Sequence, residues 1–119
     1  ADAISPYPLV WSLDGQSQLF LTPSFKEDRS HLILDWAPQR LILLHPAVRL
    51  FVSHGGWNSL VEGMLGGKPI LIWPRFGDQF SNGYRLEHEF KNGRMIANST
   101  VENQHRTLPS YEITQYIIE

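Results

Sequence analysis

The sequence contains no cysteine, and this absence excludes several kinds of chemistry. No disulfide, thiolate zinc site or cysteine nucleophile can form within this chain, and a protein without disulfides fits the cytosol. Charge of either sign is also scarce, because 10 Lys and Arg residues stand against 12 Asp and Glu residues and the formal net charge is −2. Nucleic acid and anionic membranes are not expected partners, since both require a concentrated basic face.

Long apolar runs are missing as well. The longest ones, at residues 41–44 and 70–73, are far shorter than the roughly 20 residues that cross a bilayer. The first residues include neither Met nor a basic stretch followed by an apolar one, so we predict no targeting peptide and expect a fragment of a longer, cytoplasmic protein. With 119 residues, 42% of them hydrophobic and 18% charged, the composition is typical of one globular domain.

Short apolar runs alternate along the chain with segments of helical periodicity. This alternation predicts an α/β domain with a parallel sheet. Residues 15–29 and 98–109 are polar and are predicted to be irregular. The predicted strands are residues 9–12, 32–34, 50–53, 69–73 and 94–96, and the predicted helices are residues 38–45, 58–65, 80–91 and 112–118.

A glycine loop joins the third predicted strand to the following helix. Its sequence, at residues 54–59, is His-Gly-Gly-Trp-Asn-Ser. The beginning of a helix at the carboxyl end of a parallel strand offers unpaired N–H groups and a partial positive charge to an anion. The glycines let the backbone approach a ligand, while His54, Asn58 and Ser59 add hydrogen-bond donors. We predict a diphosphate at this loop, although His-Gly-Gly after a strand could equally be a tight structural turn.

Polar and aromatic groups follow two other predicted strands. Trp36 and Gln39 come after the second strand, where a planar base could stack on the indole ring. Asp78 and Gln79 come after the fourth strand, and their carboxylate and amide suit paired sugar hydroxyls. Because the carboxyl ends of parallel strands meet at one edge of the sheet, these groups are predicted to face the same ligand.

The segment from Trp36 to Gln79 resembles the nucleotide-sugar signature of family 1 UDP-glycosyltransferases, known as the plant secondary product glycosyltransferase box. The resemblance needs no gap. Three positions depart from the plant box. Gly55 stands where the plant box usually has Cys, and in this it is similar to the animal and microbial members. Arg49 and Arg75 add charge where the plant box usually has a small or apolar residue. The matching elements are Trp36-Ala37-Pro38-Gln39, His45-Pro46-Ala47-Val48, His54, Gly56-Trp57-Asn58-Ser59, Glu62, Pro69, Trp73-Pro74, Asp78-Gln79 and, just beyond, Asn82.

The resemblance implies a role for each group in binding the donor. Glu62 lies one helical turn after Asn58, so the two are predicted to face the same way. By resemblance, Trp36 stacks on uracil, the Ala37 backbone bonds the base edge, Gln39 and Glu62 hold the ribose, His54, Asn58, Ser59 and the Trp57 backbone bind the diphosphate, and Asp78 and Gln79 hold the hexose.

The resemblance further implies the fold and the reaction. Family members have the two-domain GT-B fold, and residues 1–119 resemble its Rossmann-like C-terminal half, truncated at both ends. The implied activity is inverting transfer of a hexose, with glucose expected, from UDP to a hydroxyl of a small-molecule acceptor. The family's catalytic base is a His oriented by an Asp in the N-terminal half. This chain is therefore expected to hold no catalytic residue, metal or cofactor, and to be inactive without an acceptor domain.

One other function remains open at this point. The chain could be a stand-alone UDP-sugar-binding subunit of a split glycosyltransferase, acting only with a partner chain. A generic α/β nucleotide-binding module would not explain Trp36 together with Asp78 and Gln79. The remaining aromatic and titratable residues have structural interpretations: Trp11 and Trp73 are expected to pack in the core, and His31, His88 and His105 to lie on the surface.

Overall fold

The structure is a computed structural model that describes residues 7–96. Within this range, strands and helices alternate as the hydrophobic pattern predicts. The strands are β1 (Leu9–Ser12), β2 (His31–Leu34), β3 (Phe51–Ser53), β4 (Ile70–Ile72) and β5 (Gly93–Met95), and the helices are a 3-10 turn (Ser17–Phe20), α1 (Pro23–Glu27), α2 (Gln39–Leu44), α3 (Trp57–Leu65), α4 (Gln79–Arg85) and a π-helical turn (Leu86–Phe90).

All pairings among these strands are parallel, which confirms the predicted fold class. β1 pairs with β2 so that Leu9 lies opposite His31. β4 lies between β3 and β5, and Ile70 is opposite both Phe51 and Gly93. The described chain divides into two compact units, residues 7–38 and residues 39–96, with one sheet in each.

The first unit packs around Phe25 of α1. The Phe25 ring meets Trp11 edge-to-face with 6.0 Å between ring centroids, and it stacks on His31 at 4.7 Å. The His31 side chain is only 2% exposed, so its predicted surface position is wrong. Alternation along a strand decides which face a side chain takes, and β2 turns His31 toward Phe25. Trp11 packs as expected.

Residues 15–29 were predicted to be irregular, and that prediction is wrong for two short helical segments. α1 forms because the Thr22 hydroxyl accepts a hydrogen bond from the Phe25 N–H at 3.3 Å, and because Pro23 takes the first helical position. A hydroxyl cap and a proline at the first position are both favourable signals for a helix start. Burial of Phe25 then supplies the packing that so short a helix requires.

The second unit has its core between β4 and the helices. Leu60 of α3, Ile70 and Ile72 of β4 and Leu86 are at most 1% exposed and form one cluster, with Phe51 packed against it. β4 is buried along its whole length, as expected for a central parallel strand covered on both faces. This buried strand supports the loop that precedes α3.

One buried cation completes this unit. Lys68 is 9% exposed, and its ammonium donates to the carbonyl oxygen of His45, just beyond the end of α2, at 2.9 Å. A cation is favourable where carbonyl groups at a helix end lack partners. The Asn92 amide in turn donates to the carbonyl of Lys68 at 3.2 Å, so the loop before β4 is held from two sides.

Predicted and observed boundaries agree within one or two residues for the strands and for α2 and α3. The predicted helix 80–91 is present as α4 and the π-helical turn, and it ends at Lys91, which adopts a left-handed conformation with φ of 52°. The predicted loop 98–109, helix 112–118 and surface residue His105 lie outside the described residues. Between residues 7 and 96, no helix has the length and apolar character to span a bilayer.

Candidate functional site

The glycine loop after β3 is built so that only glycine fits at position 55. Gly55 has φ of +96°, and a Cβ atom there would lie 2.8 Å from Cγ2 of Ile72 and 3.3 Å from the carbonyl oxygen of Gln79. The Gly55 N–H donates to the buried Ser53 hydroxyl at 3.2 Å. The loop is therefore packed on β4 and fixed by hydrogen bonding.

The loop leads directly into the first turn of α3. Gly56 is the N-cap and has no side chain, and the first backbone hydrogen bond of the helix runs from the Leu60 N–H to the Gly56 oxygen. The N–H groups of residues 57–59 therefore lie at the open, electropositive end of the helix. The exposed His54 ring lies beside them, because its Nε2 is 2.8 Å from where a Gly56 Cβ would be. The structure thus brings the predicted diphosphate-binding groups together.

Three polar side chains meet on the first turns of α3. The Gln39 amide nitrogen, at the start of α2, donates to a Glu62 carboxylate oxygen at 2.9 Å and to the Ser59 hydroxyl at 3.3 Å. All three side chains are partly buried. Gln39 and Glu62, which were predicted to hold the ribose, therefore form one hydrogen-bonded group that neighbours the first turn of α3.

An open cleft of about 430 Å³ runs along the same helix. Trp57 also neighbours Arg85, whose guanidinium lies 5.7 Å from the centre of the indole ring and 5.3 Å from the centre of the Phe90 ring and pairs with Glu89 at 3.1 Å. Arg85 was not singled out from the sequence. The residues that line the cleft are Arg40, Trp57, Asn58, Val61, Glu62 and Leu65.

Asp78 and Gln79 come together at the start of α4, but in different environments. Asp78 is exposed. Gln79 is 4% exposed, and its side-chain oxygen accepts hydrogen bonds from the backbone N–H groups of Arg75 at 2.7 Å and Phe76 at 3.0 Å. These two hydrogen bonds stabilise the conformation of the loop after β4. Nε2 is therefore the atom of the Gln79 amide that remains for a ligand.

Two buried residues were given no role in the site from the sequence, although Asn82 is among the matching elements. Ser53 holds the Gly55 N–H, and the Asn82 amide donates to the Gly55 carbonyl oxygen at 3.0 Å and to the Asp78 carboxylate at 3.2 Å. The spacing of four residues between Asp78 and Asn82, one helical turn, is the sequence signal that could have indicated the second contact.

Trp36 and Ala37 lie in the first unit, directly after β2. Trp36 is 78% exposed, so the faces of its indole ring are accessible. The preceding residue, Asp35, accepts a hydrogen bond from the Gly15 N–H at 2.8 Å and so joins the loops that follow β1 and β2. The backbone that carries Trp36 is therefore fixed on one side.

Among residues 7–96, no group of three or more His, Asp or Glu residues is arranged to hold a metal ion. One His–Asp pair is present, since His31 Nε2 lies 3.4 Å from the Asp28 carboxylate. Hydrogen bonds from Ser30 lower the pKa of Asp28. Because the His31 side chain is buried beneath Phe25, this pair is part of the packing of the first unit and is not placed to take a proton from an acceptor.

Comparisons of sequence give consistent matches. The model of a family described as "UDP-glucoronosyl and UDP-glucosyl transferase" matches residues 1–105. UDP-glycosyltransferase 73C2 of Arabidopsis thaliana is 42% identical in an alignment of 95 residues that covers 72% of this chain and 19% of that protein. Anthocyanidin 3-O-glucosyltransferase 7 of Manihot esculenta is 42% identical over 94 residues, covering 77% of this chain and 33% of that protein.

Comparisons of structure agree with those of sequence. A UDP-glucose: anthocyanidin 3-O-glucosyltransferase in complex with UDP matches with a TM-score of 0.83 and 25% identity, over 98% of this chain and 25% of its own. A ugt transferase from Siraitia grosvenorii, also in complex with UDP, matches with a TM-score of 0.79 and 28% identity, over 91% and 28%. The chain spans about a fifth to a third of the length of the relatives it matches.

Proposed function

The chain belongs to the UDP-glucoronosyl and UDP-glucosyl transferase family, and we propose that it binds the UDP-sugar donor for an inverting glycosyl transfer. The observation that carries this proposal is the hydrogen-bonded group of Gln39, Ser59 and Glu62 at the start of α3. It adjoins a glycine loop whose helix start is open to an anion. The residues proposed to bind the donor lie in the segment 36–79, and residues 1–119 are proposed to be part of a donor-binding domain.

Gln39 and Glu62 are suited to two adjacent ribose hydroxyls. One Glu62 oxygen accepts from the Gln39 amide at 2.9 Å, which leaves the second carboxylate oxygen and the Gln39 oxygen as acceptors. A carboxylate and an amide held in contact present acceptors at fixed positions, so a vicinal diol can donate to both. The nearby Ser59 belongs to the first turn of α3, where the diphosphate would follow.

The diphosphate would lie at the open beginning of α3. The N–H groups of residues 57–59 and the helix dipole favour negative charge there. As the glycosidic bond breaks, charge develops on the UDP leaving group, and groups already oriented toward it stabilise the transition state without reorganising. The His54 ring beside Gly56 adds a donor in the same place. We expect leaving-group stabilisation from this chain without a metal ion or cofactor.

The uracil and the hexose, at the two ends of the UDP-sugar, would contact residues other than Gln39, Ser59 and Glu62. The exposed Trp36 ring is suited to stacking on uracil, with the Ala37 backbone at the base edge. The Asp78 carboxylate and Gln79 Nε2 offer an acceptor and a donor to the hexose hydroxyls. The names of the similar glucosyltransferase from Manihot esculenta and of the UDP-bound anthocyanidin glucosyltransferase support glucose as the donor sugar.

We propose that the base for the reaction and the small-molecule acceptor site come from an acceptor-binding domain. Within residues 7–96, the histidine of the one His–Asp pair is buried beneath Phe25. We therefore expect the 119-residue chain to bind UDP-glucose and not to transfer glucose by itself. Transfer by the purified chain alone would contradict this part of the proposal.

The experiment that tests the donor site compares UDP with 2′-deoxy-UDP by calorimetric titration. Hydrogen bonds to a charged group contribute about 1.5–3 kcal/mol, so wild type should prefer UDP by roughly ten- to a hundredfold. Glu62→Ala should remove most of that preference. Glu27→Ala, which removes an exposed carboxylate on α1, is the matched control and should preserve it. Equal binding of both nucleotides to wild type would rule out the proposed ribose contacts.

A further inference from the structure

Asn82 is the buried polar residue that connects the two halves of the proposed donor site. It is 7% exposed on α4, and its amide nitrogen donates to the Gly55 carbonyl oxygen at 3.0 Å and to the Asp78 carboxylate at 3.2 Å. A side-chain amide has two N–H groups. One rigid, planar amide group therefore donates to both the Gly55 carbonyl and the Asp78 carboxylate.

The contact with Gly55 fixes a part of the backbone that would otherwise be free to move. Glycine has the widest choice of backbone conformations, and Gly55 adopts a positive φ of +96°. Its N–H is bonded to Ser53 and its carbonyl to Asn82, so the residue is held from β3 on one side and from α4 on the other. The orientation of Gly55 sets the direction in which the chain enters α3.

The contact with Asp78 fixes a carboxylate that is otherwise exposed. Asp78 is the N-cap residue of α4 but makes no capping hydrogen bond through its side chain. Within residues 7–96, its carboxylate accepts a hydrogen bond from the Asn82 amide. The rotamer of Asp78 therefore depends on the same amide that holds the glycine loop.

We propose that Asn82 is a positioning residue that couples the diphosphate loop to the carboxylate that reads the hexose. This inference rests on the proposed function, because it assigns the loop to the diphosphate and Asp78 to the sugar. In this proposal Asn82 acts through Gly55 and Asp78 and not by contacting the UDP-sugar. It makes the geometry of one subsite depend on the geometry of the other.

The coupling has a consequence that a purely structural role for Asn82 does not have. UDP lacks the hexose, so removing Asp78 should not alter UDP binding through any direct contact. Loss of a negative charge near the diphosphate would by itself tighten the binding of an anion. If Asp78 helps to orient the Asn82 amide, the Asp78→Ala variant should instead bind UDP more weakly, by about three- to fivefold, which is toward the lower end of the range for coupled neighbours.

A double-mutant cycle measures this effect with UDP as the probe. The variants of the 119-residue chain are Asp78→Ala, Asn82→Ala and the double variant, and Ser81→Ala, an exposed neighbour on α4, is the control. We expect Asp78→Ala to weaken UDP binding when Asn82 is present. In the double variant, where Asn82 is already Ala, Asp78→Ala should not weaken UDP binding further. Unchanged or tighter UDP binding by folded Asp78→Ala would overturn the inference, and this test does not require Asn82→Ala to fold.

Hydrogen exchange provides a second measurement that does not depend on nucleotide. We expect Asp78→Ala to speed exchange of the Gly55 N–H, because the peptide loses part of its anchoring, and Ser81→Ala to leave it unchanged. Equal exchange in Asp78→Ala and wild type would contradict the coupling even if UDP failed to bind. Failure of wild type to bind UDP, together with faster Gly55 exchange in Asp78→Ala, would reject the proposed function and retain the coupling between loop and carboxylate.

Discussion

Replacing Gly55 by Ala should destabilise the protein more than any other Gly→Ala change with positive φ in the described chain. Two separate costs act at this position. A φ of +96° is unfavourable for a residue with a Cβ, by about 1–2 kcal/mol. The added Cβ would also lie 2.8 Å from Cγ2 of Ile72 and 3.3 Å from the Gln79 carbonyl oxygen, and overpacking of this kind costs typically 1–3 kcal/mol.

Gly77 provides the matched control for Gly55. It has φ of +64°, and a Cβ there would meet no atom within 4 Å. Gly77→Ala should therefore incur only the backbone cost, about 1–2 kcal/mol, while Gly55→Ala should lose about 2–5 kcal/mol. Since 1 kcal/mol corresponds to about 4 °C in a domain of this size, the two melting temperatures should differ by several degrees.

Urea unfolding followed by circular dichroism gives the two free energies directly. The comparison isolates the packing cost because Gly77 shares the positive φ of Gly55 but not its close contacts. If Gly55→Ala lost no more stability than Gly77→Ala, the loop would have relaxed into another conformation. The packing of Gly55 on Ile72 would then not be what requires glycine.

Three further outcomes follow from the same geometry. Trp36→Ala should weaken UDP binding by about 1–3 kcal/mol in a titration, by analogy with base stacking on other aromatic rings, and unchanged affinity would remove Trp36 from the site. Lys68→Met should lower the free energy of urea unfolding by about 1–3 kcal/mol, because the His45 carbonyl loses its charged donor and keeps only the Val48 N–H, whereas a neutral result would show that the ammonium contributes no net stability. Ser17→Ala should raise the pKa of the Asp14 carboxyl toward its ordinary value of 3.8, because the Ser17 hydroxyl is the main cause of its lowered pKa. Because the pKa of Asp14 is lowered in the folded state, its carboxylate stabilises the fold above pH 3.8, and this stabilisation is lost as the pH falls through the folded-state pKa. The Ser17→Ala variant should therefore lose less stability in acid than wild type. NMR titration of Asp14 measures the change in its pKa.

Most strands of the fold could be predicted because apolar runs between turn residues are a direct consequence of burial. Ile70 and Ile72 are buried on one face of β4 and Leu71 on the other, and the sequence shows this as an uninterrupted apolar run. The glycine loop and α3 were predictable for a similar reason, since the helical spacing of Leu60 and Met64 is local. α1 was missed although Thr22 and Pro23 carry the ordinary signals of a helix start.

The hydrogen bonds inside the site could be predicted only in part. The resemblance placed Gln39 near Glu62, and the structure joins them at 2.9 Å. It could not indicate that the Gln79 oxygen is occupied by two backbone N–H groups, because that depends on the path of the loop after β4. His31 shows the same limit: whether a polar residue in a strand is exposed depends on what packs over it, here Phe25.

The groups of the proposed site fall into two sets that differ in burial. His54, Asn58 and Asp78 are exposed and free to meet a ligand. Gln79 and Asn82 are at most 7% exposed, and both hydrogen-bond to the backbone of the loops that carry the first set.

This difference in burial predicts how substitutions divide between affinity and stability. Removing a buried hydrogen-bonding group leaves its partner unsatisfied, whereas water replaces an exposed one. Alanine at Asn58 should therefore change donor affinity at nearly constant stability. Alanine at Asn82 should change both together, because the geometry of the loop and the packing beneath it depend on the same amide. A residue whose substitution alters affinity without altering stability is thus placed at the ligand, and one that alters both is placed behind it.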